Sequence, residues 1–302
     1  MTTTATRPPV APPATAPRPP ARETTTRAIA ERRRHLVLYP VLAVLAAITL
    51  LPFVWVFSGS LRTTADISAN PGAWLPSAVT LENFGRLFAQ AGFTGYLANS
   101  LIVAGVVVAG NVVAAAAAGY ALAKLDFAGK RFAMVAVLIS LMMPFSAVFV
   151  PQFVVTVRLG LVNTLAGIAL PSLVLPISIF IVRQFAESIP EELLEAARID
   201  GASELRIFAQ VFLPLAGPAL ATVVIMSFLA AWNNFIWPLL VAQDTSTYTL
   251  PVGLAATRQA AQNVTDYGLV LAGAVVVMLP VLVLFLLLQR YFVQGIVATG
   301  MK

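Results

Sequence analysis

The chain has no cysteine, and one histidine, His35, in 302 residues. Disulfides, thiolate nucleophiles and thiolate metal sites are excluded, and a single imidazole cannot build a histidine-based metal cluster. Charge is scarce as well: 11% of residues are Asp, Glu, Lys or Arg, against 59% that are hydrophobic. No GxxxxGKS or GxxxxGKT stretch occurs, so the chain lacks a Walker phosphate cradle and is not expected to bind ATP itself. Ser, Gly and acidic residues do not gather into a nucleophile elbow, a paired-carboxylate site or a metal-binding group, so no catalytic residue and no metal ligand is assigned.

What is present is apolar length. The mean hydropathy is +0.87, and six apolar runs of roughly 20 residues each are long enough to cross a bilayer. They are expected to be helical, because lipid offers backbone groups no water partner. The runs lie at 36–57, 97–123, 132–154, 165–182, 215–241 and 269–289, and none contains Asp, Glu, Lys, Arg or His. The fold class is therefore an all-α polytopic membrane protein with six transmembrane helices. Proline recurs within the runs, including Pro52, Pro144, Pro151, Pro171, Pro176, Pro218, Pro238 and Pro280. Membrane helices tolerate proline widely, so no single one is given a role.

Residues 1–35 are rich in Pro and Thr and read as a disordered tail. Arg32, Arg33 and Arg34 precede the first run, whose length exceeds a signal-peptide core, so it reads as a retained helix at 36–57. The net charge of +6 is a topology signal rather than nucleic-acid affinity. Placing the N-terminus inside puts 15 of the 19 basic residues on the cytoplasmic side and leaves Arg62, Arg86, Arg158 and Arg258 outside. Both termini, including a short tail at 291–302, are then cytoplasmic. The segment 58–94, a turn near 158–164 and the segment 242–268 are external. In the last of these, Tyr248, Tyr267, Arg258, Gln259, Gln262 and Asn263 form a polar region that is either an ordinary solvated loop or a contact surface for an external partner.

One stretch between the spans stands apart. Residues 187–206 read ESIPEELLEAARIDGASELR and hold six of the thirteen acidic residues. Ser188 and Glu191 have capping-box spacing, and Pro190 suits a first helical turn. A helix is expected from Glu191 to Ile199, ended at Gly201, with a second helical stretch from Ser203. Ala196 and Ala197 add almost no bulk, Leu193 and Leu194 lie nearby, and Glu195 and Asp200 supply charge, which suits insertion into a groove on a partner. A helix resting on lipid is the other reading, but acids outnumber bases here and anionic lipid would favour the reverse.

This stretch resembles the EAA motif of permease subunits of ATP-binding-cassette importers: Glu195-Ala196-Ala197, three further residues, Gly201, then Leu213-Pro214. Residues 81–84, 99–101, 159–164, 232–239 and 289–295 resemble the carbohydrate-uptake branch, in the group of the smaller maltose-type permease. The resemblance covers about residues 40–302 and implies a type I importer permease fold. It further implies a transmembrane domain over 95–290 with a coupling loop at 187–212. Coupling to the ATPase would rest on Glu195, Ala196, Ala197, Asp200, Gly201, Leu213 and Pro214. No cofactor is expected in this chain, since ATP and Mg would be used by a partner ATPase.

The implied partners are a second homologous permease, two cytoplasmic ATPase subunits, an external solute-binding protein and the lipid bilayer of a bacterial plasma membrane. No nucleic acid is expected. The cargo is expected to be a sugar or oligosaccharide, with a polyol phosphate or an amino acid as alternatives. An ion-coupled carrier is the rival class, although such carriers usually bury ionisable groups that these runs lack. For the substrate path the residues singled out are Trp232, Asn233, Asn234 and Phe235, since aromatic faces with amide groups suit a sugar. Hydrogen bonding of the two amides between helices stays open as the other reading.

Overall fold

The computed structural model of the chain describes residues 21–90, 92–260 and 266–299. Two units are distinguished, 1–55 and 56–302. Helix α1, Ala21–Ser60, is 40 residues long and carries Pro40 and Pro52 inside it. Its first turns take in residues 21–35 of the expected tail. That stretch is rich in Ala, Glu and Arg, which are good helix formers, and it continues a helix already nucleated by the apolar run. The first twenty residues of the expected tail lie outside the described residues.

Beyond α1 the regular elements among the described residues are all helices, joined by loops. Short α2 (Thr64–Ala69) and α3 (Glu82–Ala89) precede α4 (Phe93–Lys124), a continuous helix of 32 residues. Then come α5 (Lys130–Met142), α6 (Phe145–Arg158), α7 (Leu165–Ala169), which continues as a 3-10 turn over Leu170–Ser172, and α8 (Pro176–Ser188). The charged stretch forms α9 (Glu191–Ile199) and α10 (Glu204–Ile207), followed by a π-helical turn, Phe208–Phe212. The chain ends with α11 (Leu213–Leu215), α12 (Gly217–Trp232), α13 (Ile236–Val241), α14 (Leu250–Ala260) and α15 (Tyr267–Thr299).

Three helices, Leu38–Ser60, Phe93–Lys124 and Tyr267–Gln289, are long and apolar enough to cross a membrane unbroken, and three bent pairs bring the number to as many as six. The six expected runs are thus all present as helix, but three are not straight. The third run is bent by 105° between α5 and α6. Pro144 is the cause: its ring excludes αR from Met143, which is extended at φ −74, ψ 121. The fourth is bent by 41° before α8, where Leu175, the residue preceding Pro176, is likewise extended. The expected run 215–241 ends as a helix at Trp232, and its start is bent by 75° against the segment Glu204–Leu215. Pro151 and Pro280, by contrast, sit inside unbroken helices.

Helix α4 is the strut around which the second unit is built, packing along α8 and α12. It contributes to all three apolar clusters of that unit: Phe93, Tyr96 and Ala104 to the first, Ala115 and Tyr120 to the second, and Val103 and Val107 to the third. Small residues permit this. A Cβ on Gly119 would lie 2.7 Å from a Val182 methyl, and one on Gly110 would meet the Leu173 carbonyl oxygen at 2.8 Å. Within the same helix Asn111 is fully buried and closes the break before α8. Its Nδ2 donates to the Ser172 carbonyl at 2.8 Å, and its Oδ1 accepts from the Leu175 amide at 2.7 Å and from the Ser178 hydroxyl at 3.1 Å. The 3-10 turn and Pro176 leave backbone groups without helical partners, and one amide side chain supplies them.

At the end of the molecule away from the charged stretch, Arg62 is 2% exposed yet fully paired. It donates to Asp66 Oδ2 at 2.7 Å and to the carbonyls of Asp66, Asn70 and Ala73 at 2.8 to 3.0 Å. The hydrogen bond from Arg62 holds the Asp66 carboxyl at about 2, against 3.8 for the free group. A lowered folded pKa means that the folded state binds fewer protons, so this stabilisation is complete above about pH 4 and is lost as pH falls toward 2. Because the chain has no cysteine of its own, a nitroxide at Leu75→Cys reports the segment alone. Its spectrum should stay constant down to about pH 4 and gain mobility below it. Loosening already at neutral pH would remove the Arg62–Asp66 pair from this account.

Candidate functional site

Helix α9 begins at Pro190, not through the expected capping box. Ser188 closes α8 instead, its hydroxyl donating to the Phe185 carbonyl at 2.7 Å, and no side chain caps α9. The physical reason is Pro190, which forces Ile189 into an extended conformation and so separates the two helices. The other end forms as expected. Gly201 has φ +80, the Ala202 amide donates to the Ala197 carbonyl and the Gly201 amide to the Arg198 carbonyl, each at 3.0 Å. This pair of bonds is the Schellman closure of a helix.

One residue roots α9 in the body, Leu194, which is buried, while Glu195, Ala196, Asp200 and Gly201 are exposed and Ala197 is half-buried. Leu193, Ile199 and Leu205 are also exposed, Ile199 at 85%. Apolar side chains are thus displayed among acids on this helix. Leu213 and Pro214 do not join this face. They lie beyond the π turn, where Leu213 packs on the second apolar cluster.

Three residues not singled out in the sequence tie α9 to the bundle. Lys124, the last residue of α4, donates from Nζ to the Ile189 carbonyl at 2.7 Å, where the chain enters α9. Glu204 accepts from Arg198 Nε at 2.7 Å through one oxygen and from the Tyr120 hydroxyl at 3.2 Å through the other. The Tyr120 ring packs on Phe208 and Phe212, with centroids 5.3 and 4.8 Å away.

The second candidate locus is the break after α12. Trp232 does not face open space: it is 1% exposed, stacked on Phe228, and its indole donates to the Val277 carbonyl at 3.0 Å. Of the four residues expected on the substrate path, Trp232 is thus the one whose ring and single polar atom are satisfied within the core. Asn233, Asn234 and Phe235 do line a hollow of about 490 Å³, together with Phe145, Leu229 and Ile236. Among the described residues neither Asn side chain has a hydrogen-bond partner.

At the opposite end, side chains staple the loops. Asn163, at φ 58, bonds to Asp244 and accepts from the Gln243 amide at 2.9 Å. Donors from Ser246 and then Asn163 hold the Asp244 carboxyl below its ordinary range. Asn99 donates to the carbonyls of Ser246 and Tyr248, and Ser100 accepts from the Leu250 amide at 2.7 Å. Asp266 joins Thr64 of α2 and Arg86 of α3 to the start of α15. Burial there raises its pKa, but Thr64, the Leu269 amide and Arg86 together hold it below the usual carboxylate value. Of the expected polar contact region, Tyr248 is half-buried against Tyr96 and Tyr267 is exposed. Arg258 and Gln259 lie on α14, whereas Gln262 and Asn263 fall outside the described residues.

Residues 110–297 match the family described as binding-protein-dependent transport system inner membrane component. The chain is 39% identical to the arabinooligosaccharides transport system permease protein AraQ of Halalkalibacterium halodurans, over 86% of this chain and 94% of that one. It is 34% identical to the trehalose transport system permease protein SugB of Mycobacterium tuberculosis, over 84% of this chain and 92% of that one. Among solved structures it superposes on a chain of a bacterial ABC transporter involved in the import of the acidic polysaccharide alginate. That match has a TM-score of 0.77 and 26% identity, and covers 87% of this chain and 98% of the other. A multi-pass helical bundle with an exposed helix between two of its bent spans is thus a shared fold, and the chain belongs to the binding-protein-dependent transport system inner membrane components, the permease subunits of ABC importers.

Proposed function

We propose that this permease forms half of a transmembrane path for an oligosaccharide or similar sugar in a bacterial plasma membrane, and that α9 couples it to an ATPase subunit. The observation that carries the coupling role is the exposed face of α9, where Glu195, Ala196, Asp200 and Ile199 protrude from a helix whose one buried side chain is Leu194. The basic-residue partition places that helix and both termini on the cytoplasmic side. ATP and Mg are used by the partner ATPases, whose closure moves α9. A second, homologous permease completes the path and an external solute-binding protein delivers the cargo. The sugar class is supported by the arabino-oligosaccharide, trehalose and alginate systems to which the chain is similar. The open amides of Asn233 and Asn234 beside Phe235 suit hydroxyl-rich cargo.

The test is uptake of a radiolabelled sugar panel in the native cell, with and without the gene, then with Glu195→Arg and with Asn233→Ala plus Asn234→Ala. Uptake of one sugar should vanish in the deletion strain and fall at least roughly tenfold with Glu195→Arg, about 1.4 kcal/mol of lost coupling. The paired Asn variant should alter the ranking among sugars while its membrane level holds. Undiminished uptake of every sugar, with loss of a polyol phosphate or an amino acid instead, would change the cargo. Lost uptake that ignores Glu195→Arg would defeat the role given to α9.

A further inference from the structure

We propose that α4 is the element that takes up the movement of α9, with Lys124 and Tyr120 as positioning residues gripping the two ends of that helix. The inference rests on the coupling role given to α9 above. At the entrance, the Lys124 ammonium holds the carbonyl of Ile189, the extended residue between α8 and α9. At the exit, the Tyr120 hydroxyl holds Glu204, and the second oxygen of the same carboxylate holds Arg198 in the last turn of α9. Both anchors lie within the final five residues of α4, so α9 is clasped from one helix end.

The chain itself offers a competing route, from α9 through α10 into α12. Along it the hydrogen-bond ladder changes to π-helical spacing over Phe208–Phe212 and the axis turns by 75° before α12. A ladder that changes register and direction absorbs displacement instead of passing it on. Helix α4 has no such fault. It is continuous over 32 residues, about 48 Å at helical rise. It is locked to α8 by the close approach at Gly119 and by Asn111, so α8 moves with it despite the 41° bend. Near its far end Asn99 and Ser100 hold the segment from Ser246 to Leu250. A displacement of α9 therefore reaches the far side of the membrane along a single rod.

The test uses the complex purified with its partner subunits in lipid nanodiscs, with ATP plus vanadate as the probe and nitroxide pairs on the naturally cysteine-free chain. One pair is Ile199→Cys with Leu101→Cys on α4, and the other is Ile199→Cys with Met226→Cys on α12. On adding ATP and vanadate, the α9–α4 distance should hold while the α9–α12 distance shifts. Combining Tyr120→Phe, which keeps the ring packing, with Lys124→Met, which keeps the aliphatic stem, should make the α9–α4 distance shift too, and Lys124→Arg with native Tyr120 should restore it. A shift of the α9–α4 distance in the otherwise native protein overturns the proposal, as does constancy of both distances. Should the double variant fail to assemble, Lys124→Met combined with Glu204→Leu, which leaves Tyr120 without its acceptor, carries the same comparison, and an unmoved α9–α4 distance there counts against the grip. Failure of the coupling reading shows separately, as an Ile199 label whose mobility is the same with and without the ATPase subunits.

Discussion

Replacing Gly201 with proline is expected to abolish solute uptake while the permease remains in the membrane and its complex still hydrolyses ATP. At φ +80 this residue lies where proline, fixed near −65°, cannot follow, and its amide donates to the Arg198 carbonyl. Both bonds of the Schellman closure are lost together, so α9 no longer ends where Arg198 meets Glu204. Alanine is a sharper control. A Cβ at Gly201 meets nothing within 4 Å, so Gly201→Ala carries only the left-handed backbone cost of about 1–2 kcal/mol. Uptake and ATP hydrolysis measured in the same membrane vesicles should therefore separate in the proline variant and stay nearly proportional in the alanine variant. Proportional loss of both activities in Gly201→Pro would mean that the turn serves assembly, not transmission.

Asn111→Leu should cost more stability than any other single change in the bundle considered above. Leucine approximates the shape of asparagine but strands the Leu175 amide and the Ser172 carbonyl in a buried, lipid-enclosed site. Each unsatisfied group costs about 1–3 kcal/mol, so the pair costs about 2–6 kcal/mol, or roughly 5–20 °C in unfolding temperature for a chain of this size. Thermal unfolding in detergent followed by fluorescence reads this directly. Asn111→Ala should fall less far, because a cavity lined by those two polar groups admits a water. Equal unfolding temperatures for Asn111→Leu and the native chain would show that the break before α8 satisfies itself without α4.

The legible parts of this structure are local ones. Residues 191–199 and Gly201 announce a helix and its end within eleven residues, because helix propensity and positive φ are properties of neighbours. The capping box misled because Ser188 had a nearer acceptor in Phe185, inside a helix whose boundary composition does not mark. The fifth run reads as continuous through Asn233 because Trp232, Phe235 and Trp237 keep its hydropathy high, although the helix ends at Trp232 ahead of Pro238, which has no amide for the Asn234 carbonyl. Trp232 carries the same ambiguity: an indole beside amides reads as a sugar platform, and its hydrogen bond to the Val277 carbonyl, 45 residues on, is not visible in the local sequence. Tyr120, Lys124 and Glu204 were silent for the same reason, with partners 84 and 65 residues away. The one available signal was position, since Lys124 is the first charge after a long uncharged helix.

Asp266 has a bearing on how the protein is made. Its partners Thr64 and Arg86 precede it by 202 and 180 residues. At about 5–20 residues per second of synthesis, Arg86 waits roughly 9–36 s for its carboxylate after leaving the ribosome. During that interval α2 and α3 have no start of α15 to rest on, and a nascent chain halted before residue 266 leaves Arg86 without that counter-charge. This end of the molecule is closed only once the start of α15 has emerged, so chains truncated before Asp266 carry an unsealed face open to membrane proteases.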